Sequence, residues 1–362
     1  MPIRLGYSCT ILRRGCLALL LLPALLLLPL GARADNLTVN CANGESLRAA
    51  IDSLSAAGPH TITVTGTCEQ RIAIGDGWSL GRQGLVIQAP AGKTATITPP
   101  PAEQGLGTVV DITGSQAIGL RRLVIRGGAV GLAITEASEV DIGSCTIEDN
   151  AAAGITVEAN SSAWLWGATT VRNNGQFGVL VQVGGTVWFL GGYPAATAAN
   201  LVEGHSLWGV AVLLSSTAQF DGPNQIRNNG SMAAEASAGI HVGRTSALRF
   251  ISTAAGTSEI SNNTGPGIRA EVNSSITLAN ATITNNTGAG VALERLSVGE
   301  FETGNTFSGN GTFAVSCDAS SWAVGDLTGI APIKCTNVEI KPKHKTSTGL
   351  GARELERPPK DE

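Results

Sequence analysis

A degenerate phrase recurs from the middle of the chain to its end. It consists of a hydrophobic residue, a variable residue and Asn-Asn, followed shortly by Gly and then Ile or Val. Copies end at Asn150, Asn174, Asn229, Asn263 and Asn286, and a weaker copy ends at Asn310. The glycines at 154, 178, 209, 239, 267 and 290 are separated by 24, 31, 30, 28 and 23 residues. A fixed minimum length with short insertions is typical of a solenoid that carries loops on one side.

Two families of short runs with alternating apolar residues repeat in step with this phrase. The first includes Leu132-x-Ile134, Ile155-x-Val157, Val179-x-Val181, Val210-x-Val212, Ile240-x-Val242 and Val291-x-Leu293. The second includes Ala163-x-Leu165, Val187-x-Phe189, Ala218-x-Phe220, Leu248-x-Phe250 and Ile276-x-Leu278. Alternation directs these side chains inward. Two strands and one turn per repeat predict an all-β parallel β-helix, whose neighbouring coils lie about 4.8 Å apart.

The same phrases resemble the right-handed parallel β-helix proteins of the pectin-lyase-like superfamily, over residues from about 60 to 320. The segment from Asn40-Cys41 to Gly66-Thr67-Cys68 is similar to the N-terminal cap of bacterial members. The resemblance implies a right-handed β-helix solenoid. It does not imply one activity, because a fold hosts many functions.

Residues 1–34 are typical of a secretory signal. Arg13 and Arg14 precede an apolar stretch over residues 17–30, and Ala32-Arg33-Ala34 fits a cleavage site. The alternative is a membrane anchor, but the stretch is shorter than the roughly 20 residues that a spanning helix needs. We therefore expect a secreted, periplasmic or cell-surface protein with no transmembrane segment after signal removal.

The remaining chain is predicted to contain an N-terminal cap at 35–60, a β-helix domain at 61–340 and a disordered tail at 341–362. Leu47, Ile51 and Leu54 recur at helical spacing, which predicts a short capping helix. The tail has too few apolar residues to pack.

Charge makes nucleic acid an unfavourable partner. The chain has 24 Lys and Arg against 28 Asp and Glu, and the predicted signal removes four arginines and no acid. An acidic chain with scattered arginines lacks the basic surface that a phosphate backbone requires. Neither the oligomeric state nor a protein partner is indicated.

Five of the seven cysteines follow the predicted signal. In an exported protein, Cys41 with Cys68 and Cys317 with Cys335 are predicted disulfides, one at each end of the repeats. Cys145, between two apolar residues, is predicted to be a buried thiol. No zinc-ligand spacing occurs, and we predict no metal or cofactor. A calcium site is unsupported, because the sequence shows no set of oxygen ligands that would converge on one ion.

The Asn pairs are predicted to be structural, because Asn tolerates the left-handed conformation of a tight corner and its amides can bond from coil to coil. His205 stands where other coils have Asn, and with Trp208 it is a second candidate functional position.

The outward positions of the second strand family give the main candidate binding face. Aligning the strands predicts a shared surface of Trp164, Trp166, Trp188, Gln219, Asp221 and Arg249. Exposed aromatic rings beside such polar groups can contact sugar rings and bond their hydroxyls. The alternative is that the insertions at 191–200 and 251–258 fold over these tryptophans and bury them.

The first strand family gives catalytic candidates. His241 projects outward, with Arg269 and Glu271 on the next coil and Glu294 after that. Such a group suits acid–base chemistry on a polysaccharide, but a solvated surface ladder is the favoured interpretation.

Catalytic members of the superfamily use clustered aspartates, whereas here Asp141, Asp149, Asp221 and Asp318 are dispersed and no lysine lies between Lys93 and Lys334. We therefore expect a non-catalytic protein that contacts a polysaccharide. The alternatives are a lyase or glycosidase for a uronate polymer, using His241, Arg269 and Glu271 or Arg249 and Asp221, and a purely structural or adhesive surface protein.

Overall fold

The computed structural model describes residues 34–55, 57–75, 83–195, 197–232, 237–251 and 256–340. Apart from Ala34, the predicted signal sequence lies outside the described residues, and so does the predicted tail at 341–362. Within the described residues the chain winds into stacked coils whose strands form three parallel sheets. The predicted all-β parallel β-helix is confirmed.

Each full coil contributes one strand to each sheet. Sheet A contains β1 Asn36–Asn40, β2 Ala57–Thr65, β5 Gln83–Gln88, β8 Ile118–Arg121, β11 Glu139–Gly143, β14 Ser162–Trp166, β17 Thr186–Leu190, β20 Thr217–Asp221, β23 Ala247–Ile251, β26 Ser275–Leu278, β29 Val298–Phe301, β32 Trp322–Gly325 and β34 Asn337–Ile340. Sheet B contains β3 Thr67–Glu69, β6 Ala95–Thr98, β9 Leu123–Arg126, β12 Thr146–Glu148, β15 Thr170–Arg172, β18 Asn200–Glu203, β21 Asn224–Arg227, β24 Ser258–Ser261, β27 Ala281–Thr284 and β30 Thr306–Ser308. Sheet C contains β4 Ile72–Ile74, β7 Thr108–Thr113, β10 Val130–Thr135, β13 Ala153–Val157, β16 Phe177–Val181, β19 Trp208–Val212, β22 Ala238–Gly243, β25 Ile268–Glu271, β28 Val291–Leu293, β31 Val315–Cys317 and β33 Ile333–Lys334.

Sheet B is a third strand family that the sequence patterns did not separate. Its strands are three or four residues long. The hydrophobic residue that opens each Asn-Asn phrase, such as Ile147 or Val171, is the inward residue of such a strand, and it is buried in every copy except the weaker one that opens at Phe307. The phrase therefore includes a strand as well as a turn.

The core is a set of columns that run along the stack. Phe189, Phe220 and Phe250 lie on successive coils of sheet A, with ring centroids 4.3 and 4.7 Å apart and nearly parallel planes. All three are buried. The glycine of each phrase leaves room for the next coil, since a Cβ at Gly154 would lie 2.7 Å from Nδ2 of Asn174.

The corner between sheets B and C, which we call the asparagine corner, is Asp149-Asn150, Asn173-Asn174, Gly204-His205, Asn228-Asn229, Asn262-Asn263, Asn285-Asn286 and Gly309-Asn310. The first residue of each pair has a positive φ. The second side chain points inward and bonds from coil to coil. Asn263 Nδ2, for example, donates to Asn286 Oδ1 at 2.9 Å, and Asn263 Oδ1 accepts from Asn229 Nδ2 at 3.0 Å. The predicted structural role of these asparagines is confirmed.

The corner between sheets C and A, which we call the C–A corner, is Ala159-Asn160, Val183-Gly184, Leu214-Ser215, Arg244-Thr245, Val272-Asn273 and Arg295-Leu296. Both residues of each pair have a positive φ. The next residue is usually a buried serine, whose hydroxyl accepts from the serine N–H of the coil before, as Ser246 does from Ser216 at 3.2 Å. The side chains of the pairs themselves play no part in this serine column.

The ends are closed as predicted. The helix α1 covers Leu47–Ser53 and buries Leu47 and Ile51, and the Ser46 hydroxyl caps its first turn. Short 3-10 turns lie at Cys41–Asn43 and Pro101–Glu103. The Cys41–Cys68 and Cys317–Cys335 disulfides are both formed. Cys145 is a buried free thiol, and burial raises its pKa to about 12.

Candidate functional site

The strand register of sheet A brings the six predicted binding residues onto one outward face of four neighbouring coils. Trp164 pairs with Trp188, Trp188 with Gln219, and Gln219 with Arg249. Asp221 lies two residues from Gln219 on the same strand, and Trp166 has the same position beside Trp164. We call this set the sheet A face.

Trp164 and Trp188 form a stacked pair at the centre of the sheet A face. Their ring centroids lie 4.7 Å apart and their planes differ by 4°. One broad surface of each ring therefore contacts the other ring, and both side chains remain half-buried. The pair therefore exposes its ring edges and its two outer ring faces to solvent, and the two rings do not act as separate flat binding surfaces.

Trp166 lies over the neighbouring coil, where Gly143 leaves room for its ring. A Cβ at Gly143 would lie 2.4 Å from a Trp166 ring atom. The indole Nε1 donates to Asp141 Oδ1. The Arg121 guanidinium lies 5.6 Å from the Trp166 ring centroid and 3.8 Å from the Asp141 carboxylate. Trp166 is thus held in one orientation by a polar cluster beneath it.

The described residues of the insertion after β17 border this face. Tyr193 meets the Trp166 ring edge-on at 5.6 Å, and Gly191 N–H donates to the Asp221 carbonyl at 2.7 Å. Trp164, Trp166 and Trp188 are half-buried, so they are neither fully exposed nor hidden. Residue 196 and residues 252–255 of the two insertions lie outside the described residues.

Two charged groups complete the face. The Arg249 side chain is exposed, with Gln219 on one side along the stack and Thr277 on the other. Asp221 is half-buried, and its Oδ1 is buried and has no hydrogen-bond partner among the described residues. Buried carboxylate oxygens normally accept hydrogen bonds, so Asp221 has unused acceptor capacity at the face.

The catalytic candidates lie on another face. His241, Arg269 and Glu271 are neighbours on the outward side of sheet C, and His241 pairs with Arg269 in register. His241 Nε2 is 3.4 Å from Glu271 Oε1, and Glu271 also pairs with Arg295 at 3.3 Å. Arg249 and Asp221, the other candidate set, belong to sheet A. The structure therefore brings the members of each candidate set together, but the two sets lie on different sheets.

The predicted solvation of His241 is wrong. Its ring stacks on Trp208 with centroids 4.2 Å apart, and only 4% of the residue is exposed. Burial, together with the Arg269 and Arg244 guanidiniums, lowers the pKa of His241 to about 4. His241 is consequently a neutral, enclosed ring at neutral pH.

His205 is a member of the asparagine corner. Its Nδ1 accepts from the Asn174 N–H at 3.2 Å, which leaves the proton on Nε2 to donate to the Val171 carbonyl at 3.2 Å. These two bonds reproduce those of an Asn side chain at this position. Burial lowers the pKa of His205. The geometry gives His205 a structural role.

Among the described residues, no helix is long and apolar enough to cross a membrane. In the same part of the chain, no group of three or more His, Cys, Asp and Glu side chains is arranged to hold a metal ion.

Comparison with known proteins identifies the fold. The family model described as "Right handed beta helix region" matches residues 102–229. Together with the three parallel sheets, this match identifies a right-handed parallel β-helix. No curated protein matches the sequence of this β-helix.

Three solved structures resemble this β-helix. The A-module of mannuronan C-5 epimerase AlgE4 from Azotobacter vinelandii shares 13% identity at a TM-score of 0.55, covering 86% of this chain and 100% of that one. The AlgE6 A-module of the same organism shares 13% identity at a TM-score of 0.53, covering 84% and 98%. ORF18 of Geobacillus virus E2 shares 12% identity at a TM-score of 0.55, covering 84% and 61%. At such identities the likeness establishes the fold alone.

The sequence patterns missed a second apolar surface on the β-helix. Phe177 and Trp208 pair in register on β16 and β19, and their rings lie 5.4 Å apart. Leu180 and Leu213 lie on the same outward side and are half-buried. The available signal was that outward positions on these two strands hold large apolar residues, whereas Ala or Thr fills most of the same positions elsewhere.

Proposed function

We propose that this β-helix binds a polysaccharide along the sheet A face and does not cleave it. The observation that carries the proposal is the grouping of three half-buried tryptophans with Gln219, Asp221 and Arg249 on four adjacent coils. Aromatic surface beside a few fixed polar groups is the combination that orients a small polar ligand.

The polar groups suit a hydroxylated chain that carries acid groups. The half-buried Asp221 carboxylate can accept from sugar hydroxyls, and Gln219 can both donate and accept. Arg249 is exposed and can pair with a uronate carboxylate through charge-assisted hydrogen bonds. Two structures of similar fold are named mannuronan C-5 epimerases, which supports testing uronate polymers first.

Binding without cleavage is favoured by the acids on this surface. Strands β14, β17, β20 and β23 carry Asp221 as their single acid, whereas glycoside hydrolysis generally uses two carboxylates. Asp141, on the adjacent strand, is engaged with Trp166 and Arg121. On sheet C, the burial of His241 against Trp208 keeps that ring from a bulky substrate.

Export is part of the proposal. Two disulfides at the ends of the solenoid fit an oxidising compartment, because cytosolic proteins rarely keep structural disulfides. We therefore propose a secreted, periplasmic or cell-surface protein that begins at Asp35 after signal removal. N-terminal sequencing of the exported protein tests this start, and a retained residue 1 would contradict it.

The binding proposal is tested by affinity electrophoresis of the full chain through gels that contain uronate polymers or neutral glucans. Trp164→Ala with Trp188→Ala removes the stacked pair, and we expect about a tenfold or greater loss of retention, because buried aromatic anchors dominate such contacts. Trp322→Ala is the matched control, since Trp322 is an exposed tryptophan at the far end of the same sheet.

Unchanged retention in the double variant would remove the sheet A face as the binding surface. Absence of retention by the unmodified protein would favour the structural or adhesive role. New unsaturated or reducing ends after incubation with the polymers would replace the binding proposal with an enzymatic one.

A further inference from the structure

Six large apolar side chains form a contiguous surface on two neighbouring coils, which we call the sheet C patch. Its members are Phe177, Leu180, Val183, Trp208, Leu213 and Leu214. Val183 is 50% exposed and Leu214 37% exposed, and the other four are half-buried. The backbone bond from Gly184 N–H to the Leu214 carbonyl places Val183 and Leu214 side by side at the C–A corner.

The patch ends sharply at both neighbouring coils. In the column of Phe177 and Trp208, the adjacent coils carry Ala153 and Ala238. In the column of Leu180, the coil before has Thr156, which is buried. Small side chains therefore replace the large apolar ones on both neighbouring coils, and a bounded apolar patch of this kind is characteristic of a contact surface.

Val183 combines an unfavourable backbone conformation with an exposed apolar side chain. Its φ is 54°, in the left-handed region, which a β-branched residue rarely adopts. The turn at this coil is held by backbone hydrogen bonds, such as that from Gly184 N–H to the Leu214 carbonyl, and these do not require an apolar side chain at Val183. Burial of this side chain against a partner surface is favourable, because it removes apolar area from water.

Charges flank the patch with opposite sign on its two sides. Glu158 directly follows β13, on the coil before the patch. Arg244 lies at the C–A corner of the coil after the patch. Arg244 is exposed, and among the described residues it forms no ion pair. Glu158 accepts a hydrogen bond from Gln182 Nε2 at 2.9 Å and is half-buried.

This pattern is self-complementary. A two-fold axis parallel to the strands and midway between the two coils exchanges them when one copy faces another. Phe177 then meets Trp208 of the second copy, and Val183 meets Leu214. The same operation sets Glu158 beside Arg244 of the second copy, so that opposite charges meet on both sides of the apolar centre.

We propose that this protein forms a two-fold symmetric dimer through its sheet C patches, with the two β-helices antiparallel. The interface is isologous, so each favourable contact occurs twice. The sheet A face lies on a different side of the solenoid and remains open in the dimer. The inference is independent of glycan binding.

Analytical ultracentrifugation of the full chain tests the dimer. We expect dimers at micromolar concentration, and Val183→Asn should raise the dimer dissociation constant by about tenfold or more, since an apolar anchor is lost at two symmetric places. Asn adopts the left-handed conformation readily, so the variant should fold. Val272→Asn is the matched control at the same corner but outside the patch, and it should leave association unchanged.

Charge reversal tests the proposed orientation. Glu158→Arg and Arg244→Glu should each weaken association, because each sets like charges together, and the double variant should recover most of it. A monomer at tens of micromolar, or Val272→Asn weakening association as much as Val183→Asn, would overturn the dimer. Failure of the double variant to recover would overturn the antiparallel arrangement. Glycan retention should be unaffected in all five variants.

Discussion

The asparagine corner and the C–A corner solve the same geometric problem with different side chains. Each turns the chain with residues of positive φ, and each repeats on successive coils. At the asparagine corner the side chains that define the sequence phrase point inward and bond to one another. At the C–A corner the inward bonds come from serines, and the paired residues that make the turn point outward.

The difference separates residues that hold the fold from residues available for contact. Asn263 is fully buried, and its amide bonds to both neighbouring coils. Val183, Leu214, Val272 and Leu296 occupy the C–A corner and are all exposed. The regular phrase in the sequence therefore identifies the structural corner, whereas the outward side chains of the C–A corner are free to vary and are available for contact.

The strongest test of this comparison removes one amide from the asparagine corner. Asn263→Ala leaves the Asn229 N–H and the Ile226 carbonyl without their present partners. Unsatisfied buried groups each cost about 1–3 kcal/mol, so we expect the free energy of unfolding to fall by about 3 kcal/mol. Urea denaturation measures the change.

Asn262→Gly is the control for that substitution, because Asn262 is exposed and glycine adopts its positive φ. Equal losses in the two variants would contradict the distinction between the inward and outward residues of the corner.

Acid should weaken the fold through the two enclosed histidines. The folded pKa values of His241 and His205 are lowered, to about 4 for His241, from an ordinary value of 6.5. Below pH 6.5 the unfolded chain binds protons that the folded chain does not, so stability is complete above this pH and declines as pH falls. His241 alone accounts for a loss of about 3 kcal/mol by pH 4.

Denaturation at pH 7.5 and pH 5 measures this decline. His205→Asn should flatten it, because Asn can make the same two bonds without titrating. A variant that is as sensitive to acid as the unmodified protein would show that His205 does not contribute.

The smallest expected effect comes from relieving backbone strain at the C–A corner. Val272 has a φ of 57° and is 37% exposed. Val272→Asn should raise the free energy of unfolding by about 0.5–1 kcal/mol, because Asn tolerates the left-handed conformation that disfavours valine. Val298→Asn is the comparison, since Val298 has the same 37% exposure but lies in β29. It should give no gain, and equal gains would mean that strain at the corner is not the cause.

The sequence predicts most of the fold because every coil of the stack requires the same residue types at the same positions. Each Asn-Asn phrase requires a buried amide and a close approach at the following glycine, so its recurrence specifies which residues are neighbours. The two disulfides follow from cysteines placed at both ends of the repeats. The sequence patterns did not distinguish the strands of sheet B from the turn. An inward residue such as Val171 lies only two positions before the asparagine corner, so the pattern assigns it to the turn.

The sequence predicts which residues share a face but not how their side chains are used. Register places Trp164 beside Trp188, yet alternation does not reveal that the two rings stack on each other. It also assigns His241 to the outside of sheet C without indicating that Trp208 encloses it. Outward direction and exposure are different properties, because a large neighbour on the adjacent coil can cover a smaller side chain.

Hydroxyl-radical footprinting of the full chain, with and without a uronate oligosaccharide, tests the binding account most directly. The described residues include five tryptophans on three separate surfaces. Trp164, Trp166 and Trp188 lie on the sheet A face, Trp208 lies on the sheet C patch and Trp322 lies at the far end of sheet A. We predict that saturating ligand slows oxidation of the first three and leaves Trp208 and Trp322 unchanged. Protection of Trp208 instead, or uniform protection of all five, would contradict the assignment of glycan binding to the sheet A face.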